Sequence, residues 1–137
     1  TIKKLQLKII EPNSYFSQAH SLGIPVKGIE NLKDKLFGLE ANFDELQAID
    51  FKKGCFIGQE NTARMKLKNK IRKRLFPIKI NGDFKLGDEI MFGNDCVGKI
   101  IIDEPFPFAL IKLYDPDFYK FKDKSLETNN NITNIIY

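Results

Sequence analysis

Hydrophobic and polar positions divide the chain into two unlike parts. From residue 71 onward, short apolar stretches recur at even intervals, each bounded by a turn signal. IRKRLFPIKI over 71–80 is strand-like although Pro77 interrupts it, and Asn81-Gly82-Asp83 closes it. Further β-like stretches lie at 89–92, 97–102, 108–113 and 132–137. Gly87-Asp88, Gly93-Asn94-Asp95, Pro105 with Pro107, and Asp115-Pro116 punctuate them. Short strands at this spacing predict a small antiparallel barrel or sandwich.

The front part is mixed. Residues 2–10 (IKKLQLKII) predict a strand. Pro12 followed by NSYFSQAHSL predicts a short helix, closed by Gly23 with Pro25 just beyond. Residues 26–37 fit neither period. Asn42 precedes FDEL with Glu45 three positions on, an N-cap arrangement that predicts a helical turn over 43–48. Residues 51–57 read as strand or loop, and a helix is expected from near Gly58 to about Leu67, where Glu60 and Arg64 stand four apart. The fold class is therefore α+β. The change of pattern at 69–72 divides the chain into residues 1–70 and 71–137.

Composition narrows the class. Hydrophobic residues make up 42% and charged residues 29%, the balance of a chain with a real core. No apolar run is long enough to cross a bilayer and nothing resembles a signal peptide, so no membrane association is expected. Cys55 and Cys96 match neither a metal-finger spacing nor a redox pair. Two free thiols point to a reducing, cytoplasmic setting. The chain opens at Thr1 without methionine and runs directly into β-like sequence, as a piece of a longer protein would.

Cys55 carries the chemistry. A thiol acts as nucleophile or metal ligand only as thiolate. Lys52 and Lys53 precede it, and the helix expected from Gly58 would bring a positive dipole end close; all favour the anion. Gly54 and Gly58 let the backbone turn sharply and leave room for a ligand. A structural cysteine packed beside Phe56 and Ile57 is the competing reading, and on these residues alone the two stand about even.

The string KGCFIGQE, Lys53 through Glu60, resembles the signature K-G-C-[FY]-x-G-Q-E of YgfZ-type proteins, with the family's arginine following as Arg64. Upstream GLEANFDELQAIDF and downstream RMKLKNKIRKRL are similar to the family's flanks, so the resemblance covers roughly residues 38–76. It implies the C-terminal part of a fold like that of the glycine-cleavage T-protein (aminomethyltransferase): the remainder of a ferredoxin-like α/β domain over 1–70, then a small antiparallel β-barrel over 71–137. It further implies a tetrahydrofolate-binding factor that supports iron–sulfur cluster assembly or repair, tRNA-methylthiolating enzymes included, with the assembly machinery or its clients as partners. Carried over by motif, Cys55 is the functional thiol with Lys53 beside it. Lys53, Cys55, Gln59 and Arg64 are the candidate folate contacts. A folate-dependent aminomethyltransferase is the second reading, and an assembly factor is preferred to it.

A run of cations without an acid, Arg64, Lys66, Lys68, Lys70, Arg72, Lys73 and Arg74, is either a solvated face or an anion site beside the ligand opening. RNA binding is the third reading. It ranks lower because Met65, Leu67, Asn69 and Ile71, not aromatics, interleave the charges. Gly93 to Lys99 has phosphate-loop spacing but ends on Ile100, where a hydroxyl would bind magnesium, so it is assigned to a hairpin with Cys96 in or near the barrel. His20, the only histidine, is read as structural or solvated rather than catalytic, and Phe106, Phe108, Tyr114, Phe118, Tyr119 and Phe121 as barrel core and rim.

Overall fold

A computed structural model describes residues 8–54, 57–68 and 71–136. Among these, six strands close into one antiparallel barrel: β1 (Lys73–Asn81), β2 (Glu89–Phe92), β3 (Asp95–Ile102), β4 (Phe108–Lys112), β5 (Leu126–Thr128) and β6 (Asn131–Ile135). Their order around the barrel is β1-β4-β3-β2-β5-β6, and β6 returns to pair with β1. The strands expected from residue 71 onward are all present. β5 is an addition, and a 3-10 turn at Phe118–Lys120 precedes it.

Alternation along the strands explains the packing. Ile78, Ile90, Val97, Ile100, Ile111 and Leu126 point inward and are fully or almost fully buried. Each such side chain contributes about 1.5–3 kcal/mol of burial. Phe118 and Phe121 join this core; Phe118 stacks on Phe76 at 4.9 Å. Tyr114 and Tyr119 stay on the rim, as expected for the aromatic cluster. On the outer face, Leu75, Ile102 and Phe108 form a second cluster against Leu32. A Cβ on Gly98 would stand 2.5 Å from Ile111 Cδ1 and 3.0 Å from the Leu110 carbonyl oxygen. Glycine is what lets β3 come this close to β4. Gly93-Asn94 is the two-residue turn joining β2 to β3, so the phosphate-loop spacing is indeed a hairpin. Cys96 lies half-buried in β3 with its Sγ 3.5 Å from the Gly98 carbonyl oxygen.

Helix α1 (Pro12–Ser21) begins on Pro12 and ends in a left-handed Gly23. The Gly23 N–H donates to the His20 carbonyl and the Ile24 N–H to that of Ala19, the paired bonds of a Schellman stop. His20 is buried: its Nε2 lies 2.8 Å from the Pro107 carbonyl oxygen and its ring stacks on Phe106 at 5.2 Å. A carbonyl only accepts, so Nε2 carries the proton. Helix α1 is thereby fastened to the barrel, and the structural reading of His20 holds. A 3-10 turn at Ile29–Leu32 follows in the segment that fitted neither period.

Two expectations are corrected. Residues 43–47 form turns, residue 48 carries no regular structure, and Asn42 caps no helix there. Asn42 adopts a left-handed φ of 64° and sends its Nδ2 to the Leu75 carbonyl at 2.8 Å. A local capping signal has been overridden by a longer-range bond to β1. The second helix, α2 (Glu60–Leu67), starts two residues later than expected because Gly58 is left-handed at φ 93°. Of the strand expected over 2–10, residues 2–7 lie outside the described residues, and 8–10 carry no regular structure. No helix among the described residues is long and apolar enough to cross a membrane.

Candidate functional site

The segment before the signature is held by the barrel itself. β6 pairs with β1 only over Ile78–Asn81, which leaves the earlier part of that edge of β1 without a strand. Residues 40–42 fill in: the Leu75 N–H donates to the Glu40 carbonyl at 2.8 Å, and Asn42 returns a bond to the Leu75 carbonyl. Leu39 and Ala41 are buried alongside. Asp44 pairs with Lys66 of α2, and Glu45 with Arg74 of β1. These pairs are partly exposed, so their value is in register more than in stability.

This clasp places one wall of a pocket of about 480 Å³. Phe43 and Phe51 supply aromatic surface; Asp50, Lys53, Gln59 and Thr62 supply polar groups. The Asp50 carboxylate accepts from the Lys52 N–H at 2.8 Å, turning the chain into the signature loop. Gly54 lines the pocket and precedes Cys55 in the chain. At the far side of the loop, the Gly58 N–H donates to the Glu60 carboxylate at 2.9 Å. Glu60 thus turns back on the loop, and among the described residues it makes no ion pair with Arg64. The first turn of α2 forms the opposite wall, with its positive dipole end.

The sequence-derived residues fall in different places. Lys53 and Gln59 meet at this pocket. Arg64 is exposed and lines a separate pocket of about 320 Å³ with Phe37, Asn61, Met65 and Lys68. Cys55 lies outside the described residues, as does Phe56. The basic run is divided: Lys66 and Arg74 are neutralised by Asp44 and Glu45, while Arg72 and Lys73 border a third pocket on the barrel. Sequence reasoning missed Phe43, Phe51 and Thr62 as pocket walls. The available signal was their position immediately around the signature, with the two phenylalanines in a stretch otherwise rich in acids.

In volume and lining the pocket suits a small organic ligand with a flat apolar part and a few polar groups. Tetrahydrofolate meets that description: Phe43 and Phe51 offer faces for a ring, and Lys53 a cation for a carboxylate.

No family model matches the chain. Three curated relatives are similar to it, each named an iron–sulfur cluster assembly factor IBA57 or its homolog, mitochondrial. The Neurospora crassa protein is 42% identical over 65 residues, 47% of this chain and 15% of its own. The Pyricularia oryzae protein is 31% identical over 94 residues, 69% of this chain and 24% of its own. The mouse protein is 42% identical over 69 residues, 50% of this chain and 19% of its own. The chain thus spans a quarter or less of the length of these relatives. The expectation of a cytoplasmic protein is overturned by these names, all of which are mitochondrial. Cysteine usage distinguishes oxidising from reducing compartments and cannot separate two reducing ones.

Proposed function

We propose that this chain is the thiol-bearing portion of a mitochondrial iron–sulfur cluster assembly factor, and that it binds tetrahydrofolate against the signature loop. The names of its relatives support the first half of this reading. The observation that carries the second is the convergence of Phe43, Phe51, Lys53 and Gln59 on one pocket whose rim, at Gly54, leads directly to Cys55. Lys53 and the α2 N-terminus supply positive charge along this loop, which favours a thiolate and a ligand carboxylate alike. Thiolate is also the group by which proteins hold iron–sulfur clusters, here as cargo. Folate, when bound, supplies a reduced pterin; this chain's residues hold it, orient it and shield it from water.

The test is a folate titration of the protein at its full natural length, with and without Cys55→Ala, paired with an assay of iron–sulfur enzymes in cells that depend on it. Folate binding should survive Cys55→Ala, weaken about tenfold in Lys53→Gln, the effect of one charge-assisted contact, and vanish with Phe51→Asp. Iron–sulfur enzyme activity should be lost in Cys55→Ala. Full enzyme activity in that variant would remove the thiol from the function. Aminomethyl transfer from glycine by the intact protein would favour the transferase reading instead.

A further inference from the structure

The register of β1 against β4 sets Lys73 directly opposite Lys112. Facing residues in an antiparallel pair have Cβ atoms about 4.5–5.5 Å apart, and like charges there destabilise the sheet. Strand alternation puts both on the outer face, two positions beyond Leu75 and Leu110. Neither lysine has a carboxylate partner among the described residues. Arg72, whose carbonyl accepts from the Leu113 N–H at 2.9 Å, is likewise without one. Together with Tyr114 and Asp115, these three cations line a pocket of about 470 Å³.

We propose that this pocket is a binding site for a small multivalent anion, one with two or more phosphate or carboxylate groups. Three cations against the single carboxylate of Asp115 leave an excess of two positive charges, which a ligand of matching charge would neutralise. Arg72 offers a planar fork suited to phosphate or carboxylate, the two lysines offer point charges, and the exposed Tyr114 hydroxyl adds a neutral donor. Asp115 repels an oxyanion from its own side and so fixes how the ligand lies. The cross-strand repulsion, a cost in the empty protein, becomes the source of affinity. This site shares no lining residue with the pocket at the signature loop, and the inference does not rest on the folate reading.

Calorimetric titration of the full chain at low ionic strength tests it, with inorganic pyrophosphate and citrate as probes and acetate as the monovalent control. Saturable one-site binding of pyrophosphate, citrate or both is expected, and the stronger of the two identifies the anion chemistry. Binding should weaken at least about tenfold in Lys73→Gln and in Lys112→Gln, the size of one charge-assisted contact. It should be unchanged in Lys79→Gln, an exposed lysine further along β1, and in Cys55→Ala. Lys112→Glu should abolish binding while raising Tm, because it turns a repulsive cross-strand pair into an attractive one. Absence of saturable binding to both probes, or equal binding in the Lys112 variants and the parent chain, overturns the proposal.

Discussion

At the scale of single residues, the barrel contains a fully buried polar pair. Thr133 Oγ1 donates to Thr128 Oγ1 at 2.8 Å across β5 and β6, and neither side chain reaches solvent. Thr133→Val keeps the shape and strands the partner hydroxyl, so it should cost about 1–3 kcal/mol. The double valine variant should recover most of that loss, because both polar groups are then gone. Urea denaturation of the two single variants and the double variant measures the coupling. This pair was not legible in the sequence. β5 is three residues long, too short for a period-two pattern to stand out. Asn42 shows the opposite failure: its local signal was clear, and a bond to Leu75 overrode it.

At the scale of elements, the strands other than β5 were legible because short apolar stretches are separated by turn residues. Gly82, Gly87 and Gly93 all sit at positive φ where turns were expected. Helix α1 was legible for the same reason at both ends, Pro12 and Gly23. What the sequence did not reveal is how α1 is docked, since the partner of His20 is 87 positions away. His20→Leu removes the bond to Pro107 and the stacking on Phe106, and should cost about 1–3 kcal/mol. Limited proteolysis is the direct check. Cleavage between α1 and the 3-10 turn should accelerate while the barrel fragment stays intact. Equal acceleration within the barrel would mean that α1 and the barrel unfold as one unit.

At the scale of the whole molecule, two residues of the signature around Cys55, Lys53 and Gln59, share a pocket, and Arg64 lines a separate one. The aromatic walls were hidden because Phe43 and Phe51 are brought together by turns stabilised through β1, not by any local period. The basic run was visible as a charge excess, but its division into two neutralised cations and two that border a barrel pocket depends on the partners each meets in space. One consequence concerns Leu75. Its amide is bonded to Glu40, in the clasp that carries Phe43, yet Leu75 does not line the pocket. Any ligand that immobilises Phe43 must also reduce transient opening of that clasp. Hydrogen–deuterium exchange at the Leu75 amide should therefore slow when the pocket is occupied, while exchange at the β2–β3 hairpin stays constant, giving a reporter of occupancy that touches no ligand.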